Sequence, residues 1–141
     1  MTSKKLREAI RKRARGHCEY CRVHEEFDVL PFQPDHIIAE KHEGPTVFEN
    51  LALSCYDCNL HKGPNLAGFD KETSEVVRLF HPRQDSWIEH FRWDGPVLVG
   101  TTPIGRVTVA VLGVNAEMRV ALRRELIAEA VFPPATDMPN G

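Results

Sequence analysis

Between residues 4 and 15, Leu6, Ala9, Ile10 and Arg13 recur at i, i+3, i+4 and i+7 while lysines and arginines fill most positions between them. That is the spacing of a helix with one face on a core and the rest in water. Gly16 suits its C-terminal stop. A tight turn over 17–22 follows. Residues 27–32 and 35–39 read as two short strands, interrupted by Pro31 and Pro34, which cannot donate to a ladder. A polar loop over 40–49 carries the Gly44-Pro45 turn signal. After a brief apolar stretch at 51–53, residues 57–62 read as a short helix ended by Gly63-Pro64. On such a helix Asn59 and Lys62 share a face.

Past Pro64 the pattern predicts a turn at 70–74, a strand over 75–80, and a helical turn over 85–91 with Trp87 and Phe91 four apart. A hairpin over 93–100 turns at Asp94-Gly95. Thr102-Pro103 opens a helix despite the β-branched run Val107, Thr108, Val109 and Val111. Asn115 is placed to cap a second helix over 116–130, with Met118, Leu122, Leu126 and Ala130 at multiples of four. Pro133-Pro134 ends it and a frayed tail follows. Trp87, Phe91 and Trp93 fit core packing better than base stacking. Arg119, Arg123 and Arg124 form either a nucleic-acid-facing patch or the solvent side of the last helix.

The 141 residues suit one domain, divided into a core over 1–65 and an accessory strand and helix extension over 66–141 packed on it. No apolar run is long enough to span a membrane, and the basic N-terminus lacks a signal-peptide core, so a cytoplasmic protein without a membrane partner is expected. The net charge of −2 hides an asymmetry: residues 1–24 carry eight basic against two acidic side chains, leaving an acidic remainder. A basic arm bearing Arg11 and Arg15 suits a polyanion, because neutralising phosphates is the main source of nucleic-acid affinity. The same arm also reads as an ordinary solvated helix face.

Two Cys-x-x-Cys pairs, Cys18/Cys21 and Cys55/Cys58, bracket the segment that carries Asp35, His36 and Asn50. With no export signal, metal binding is preferred over disulfides or a redox dithiol. Four thiolates complete the tetrahedral set of a closed, structural zinc, which pins the base of the intervening excursion. Asp35, His36 and the nearby amides make a second set, of oxygen and nitrogen donors, suited to an open, working cation.

Cys-x-x-Cys, then Asp35-His36-Ile37, then Asn50-Leu51, then Cys55-x-x-Cys58-Asn59-x-x-Lys62, is similar to the zinc-stabilised form of the HNH endonuclease family. The resemblance implies an α+β fold: a core of two strands and a helix around a metal, called ββα-metal or His-Me finger, with a four-cysteine zinc knuckle, a basic N-terminal helix and a C-terminal helical extension. The core strands would lie near 27–32 and 35–39 and the helix would begin near Asp57. It implies His36 as general base, Asp35 as ligand of a catalytic Mg²⁺ or Mn²⁺, Asn50 as holder of the loop between strand and helix, and Asn59 as second ligand or its support. Asn59 stands where many members carry histidine, which strengthens the preference for a hard metal. His42, beside Glu43-Gly44 where the family often has two glycines, is a candidate for phosphate or metal, and Lys62 for phosphate. The substrate would be DNA, with RNA as an alternative. Double-strand cutting would call for two sites, as a homodimer supplies. The competing reading is a zinc-dependent nucleic-acid-binding module that does not cut.

Overall fold

A computed structural model describes residues 2–134; the tail expected after Pro134 lies outside them. The chain forms helix α1 (Lys4–Ala14), strands β1 (Gln33–His36) and β2 (Leu51–Ser54), helix α2 (Tyr56–Lys62), hairpin β3 (Ala67–Asp70) and β4 (Glu75–Arg78), the short helix α3 (Trp87–His90), hairpin β5 (Phe91–Asp94) and β6 (Val97–Gly100), and helices α4 (Pro103–Val111) and α5 (Glu117–Ala128). Each sheet is a two-stranded antiparallel pair. One buried cluster runs from Ile10 of α1 through Leu51–Leu53 of β2 to Phe91, Val107, Leu126 and Phe132. The architecture is thus helices and small sheets around a four-cysteine cluster. Among the described residues no helix is long and apolar enough to cross a membrane.

α1 forms as its periodicity predicts. Ser3 accepts a hydrogen bond from the Leu6 amide at the start, and Arg15, in the left-handed region, closes the end against the Arg11 and Lys12 carbonyls. Ile10 and Ala14 are buried, against a helix otherwise covered with cations.

The strand expectation needs correction. Residues 27–32 are not a strand: a single 3₁₀ turn, Glu25–Phe27, leads into a loop on which Val29 and Leu30 are exposed. The Phe32 amide donates to the Glu25 carboxylate instead of to a ladder. The true partner of the Asp35 strand is Leu51–Ser54, buried along its whole length, in the register Asp35↔Ala52 and His36↔Leu51. A strand buried on both faces shows no alternation, so its sequence looks like a short apolar patch.

In the C-terminal half, the hairpin at Asp94-Gly95 and the helix capped by Thr102 form as expected, with Thr102 Oγ1 accepting from the Gly105 amide. Asn115 does not cap α5, which begins after Ala116. Its side chain instead bonds both backbone groups of Leu98 in β6. Arg119 and Arg123 form no surface patch either: both are buried. Arg123 donates to the Pro96 carbonyl and to Asn115. Trp87 lies in the core, its indole nitrogen donating to the Tyr20 carbonyl at 3.0 Å.

Candidate metal centre and neighbouring pocket

The first cysteine pair sits on a knuckle made by the reversal after α1. Cys18 and Val23 pair through the Cys18 N–H to Val23 carbonyl bond, His17 bridges His24, and Arg22 takes a positive φ to complete the turn. Cys55 is the residue before α2, and its sulfur accepts from the Cys58 amide at 3.4 Å; Cys18 Sγ accepts from the Cys21 amide in the same way. The four sulfurs are buried and lie within 4.8 Å of one another, with Cys21 and Cys55 3.8 Å apart. A tetrahedral zinc with bonds near 2.3 Å would place its sulfurs about 3.8 Å apart, so the cluster has the size of that site.

Electrostatics agrees. Cys21 is pushed down by hydrogen bonds from its neighbours, Cys18 foremost, whereas Cys55 and Cys58 are pushed up by theirs with Cys18 and Cys21. Four bare thiolates cannot share so small a volume, and a divalent cation removes the conflict. Zinc with four thiolates still carries net negative charge. Arg119 answers it, with Nη2 3.9 Å from Cys21 Sγ while the guanidinium grips both oxygens of Asp28 at 3.0 and 3.1 Å.

The knuckle is stitched to the β1–β2 pair. Glu19 exchanges backbone and side-chain hydrogen bonds with Leu53 and is itself met by Arg83. Tyr20 points its hydroxyl at Asp35 Oδ2, 2.8 Å away. Lys62, at the last turn of α2, reaches the same carboxylate at 3.1 Å and donates to the carbonyls of His36 and Ile37 at 3.0 and 3.2 Å. Burial pushes the Asp35 carboxyl up, against the pull of the Lys62 ammonium and the Tyr20 hydroxyl. Burial, with that carboxylate alongside, holds Tyr20 well above the ordinary phenol range, so its hydroxyl is a donor at any working pH.

Beyond His36 the ladder ends in an unusual way. The Ile37 amide still donates to the Asn50 carbonyl, but at Ile38 the Asn50 side chain takes over, accepting from Ile38 N–H and donating to Ile38 and Pro45 carbonyls at 2.9–3.0 Å. One side-chain amide thereby closes the 38–50 loop. Gly44 is required there, since a Cβ would lie 1.7 Å from the Ile38 carbonyl oxygen. The loop carries Thr46, whose hydroxyl is 2.8 Å from His36 Nε2. Glu40 Oε1 lies 3.9 Å from the same nitrogen.

Asp35, His36 and Asn59 line one solvent-open pocket of about 260 Å³, with Pro34, Ala39, Glu40, Lys41, Gly63 and Pro64. Among the described residues no second group of three or more histidine, cysteine or acidic donors converges as the cysteines do. A cation in this pocket would therefore have few protein ligands.

Other sequence candidates fall elsewhere. His42 ends the Glu40–His42 turn, exposed, and the pocket wall is formed by Glu40 and Lys41. Arg11 is paired bidentately with Glu25 and lines a separate hollow with Lys4, Arg7 and Gln33. Arg15 is exposed at the end of α1. Lys62, read from sequence as a phosphate contact, is instead 1% exposed, because its three donors are drawn inward to a carboxylate and two carbonyls. Sequence reasoning missed Tyr20 and Thr46. Tyr20 lies inside the Cys-x-x-Cys turn and could have been singled out by that place alone; Thr46 had no spacing signal.

Compared with known families, residues 18–65 match the model described as HNH endonuclease. The match covers about a third of the chain and contains all four cysteines and the pocket residues named above, so the resemblance drawn from the motifs holds over that segment. No curated protein and no solved structure matches the chain.

Proposed function

We propose that the protein is a metal-dependent endonuclease that hydrolyses DNA phosphodiester bonds, built on a ββα-metal core in which β1, backed by β2, and α2 contribute to the pocket wall and a structural zinc holds the knuckle. The observation that carries the reading is the meeting of Asp35, His36 and Asn59 in one open pocket inside the HNH-matching segment. The residues after Pro64 act as an accessory extension of that core.

The donor set fits a hard divalent cation: the Asp35 carboxylate and the Asn59 amide would hold it, with no thiolate in reach of the pocket. When bound, such a cation supplies charge relief on the scissile phosphate and on the departing oxygen. The chain's own groups do the rest. Thr46 fixes His36 through Nε2, and in the tautomer where Nε2 donates, Nδ1 is the acceptor that takes the proton of the attacking water. Asn50 keeps the 38–50 loop closed so that Thr46 stays at that nitrogen. Lys41 on the pocket wall offers a cation toward the phosphate backbone, and the exposed lysines and arginines of α1 add to the attraction for the polyanion.

Incubating the zinc-loaded protein with supercoiled plasmid, single-stranded DNA and RNA, with and without Mg²⁺ or Mn²⁺, tests this. Metal-dependent nicking of the plasmid is expected. Binding to plasmid without cleavage in any divalent metal would leave the non-cutting zinc module as the correct reading.

A further inference from the structure

The Tyr20 side chain runs from the cysteine knuckle to Asp35, a residue of the pocket lining. It stands between Cys18 and Cys21, is 2% exposed, and sends its hydroxyl to Asp35 on β1. Its carbonyl end is held as firmly, by the Trp87 indole. Its neighbour Glu19 is bonded to Leu53 on β2, so the turn that carries Tyr20 cannot shift against the strand pair. On Asp35 the two oxygens are unlike. Oδ2 accepts from the Tyr20 hydroxyl at 2.8 Å, whereas Oδ1 accepts only the longer bond, 3.4 Å, from Lys62, whose Nζ also lies 3.1 Å from Oδ2 as an ion pair. Tyr20 on Oδ2 and Lys62 on Oδ1 fix the plane of the carboxylate. Oδ1 keeps coordination capacity to spare.

We propose that Tyr20 is a positioning residue that locks Asp35 from inside the zinc knuckle, so that the carboxylate meets the working cation through Oδ1 in one fixed orientation, and that the two metal sites are thereby coupled through a single phenol. The inference rests on the reading of the pocket given above. Groups behind a ligand orient it and typically change metal affinity by ten- to a hundred-fold when removed. Coupling between two binding sites is reciprocal, so a cation at Asp35 must also tighten the hold on zinc.

Two measurements on the zinc-loaded protein test it, neither reading catalysis. In the first, Mn²⁺ binding is followed by the paramagnetic resonance signal of free Mn²⁺ for wild type, Tyr20→Phe and Asp35→Asn, with zinc content measured alongside. Tyr20→Phe is expected to keep its zinc and bind Mn²⁺ about ten-fold more weakly, and Asp35→Asn to lose the site. In the second, on wild type, zinc transfer to a colorimetric chelator should slow when Mn²⁺ is added, and Asp35→Asn should abolish the slowing. Wild-type Mn²⁺ affinity retained by Tyr20→Phe at full zinc content would overturn the proposal, leaving the pocket reading intact. If Tyr20→Phe loses zinc, the wild-type experiment decides: zinc release indifferent to Mn²⁺ overturns the coupling. No Asp35-dependent Mn²⁺ binding in wild type would overturn the pocket reading and this inference together.

Discussion

Lys62 shows how much the neighbourhood of a residue decides. A lysine at the end of a short helix in a nuclease-like motif invites a phosphate, and helix ends favour cations in any case. Here the ammonium is buried and spends its donors on Asp35 and the carbonyls of His36 and Ile37, three acceptors that would otherwise be stranded at the end of β1. Lys62→Met should therefore lower the melting temperature while leaving the salt dependence of DNA binding as it is in wild type. A fall of about one in the slope of log affinity against log salt would instead put this lysine on a phosphate. Asn50 makes the same point. Its amide imitates the next rung of the β1–β2 ladder, so a polar residue 7% exposed is fully employed and a loop of irregular backbone is held as a strand pair would be.

At the scale of elements, what the sequence revealed depended on how local the cause was. Cys55-x-x-Cys58 and the helix after it were legible because the cap, the turn and the stop at Gly63 all lie within a few residues. The β1–β2 pairing was not, because Leu51–Ser54 is buried on both faces and matches no alternation, while Val29 and Leu30 have strand-like composition yet stay in water. Asn115 looked like a cap and became a cross-link to Leu98, a contact no local rule contains. Arg119 and Arg123 looked solvated because the negative cluster that draws Arg119 in is assembled from residues far away in the chain. The loop between β4 and α3 offers a pH test. The Arg78 hydrogen bonds hold the Asp85 carboxyl below its ordinary value despite some burial, and its Oδ2 also accepts from the His81 amide. Folding thus favours the ionised form. The contribution is complete above the unfolded carboxyl range near 4 and is lost as pH falls through the lower folded value. Because Arg78 is half exposed the contribution is small, below ~1 kcal/mol. Urea unfolding between pH 5 and 2 should show a shallower acid limb for Asp85→Asn than for wild type, and an unchanged limb would deny Asp85 that role.

For the molecule as a whole, the cysteine cluster is where the two halves of the chain are tied together. Cys18 and Cys21 follow α1, Cys55 and Cys58 flank the start of α2, and Arg119 of α5 closes over them while pairing with Asp28 and reaching Asp57. Removing Arg119 leaves Asp28 without its cation and the sulfur cluster without its nearest counter-charge. Arg119→Met is expected to cost about 3 kcal/mol in urea unfolding and to speed zinc release to a chelator. Unchanged stability and release would show that α5 merely rests against the site. The cysteine cluster, the strand pair and the pocket form one chain of contacts, from the knuckle through Tyr20 to Asp35 and from Asn50 through the loop to Thr46 and His36. Its purpose on this account is to aim one imidazole at a water beside a phosphate. The most direct test is the single-turnover rate of plasmid nicking in Mg²⁺ by His36→Ala against wild type, both at equal zinc content and equal melting temperature. A loss of about 10²- to 10⁴-fold is predicted; nicking by His36→Ala at the wild-type rate would contradict the account.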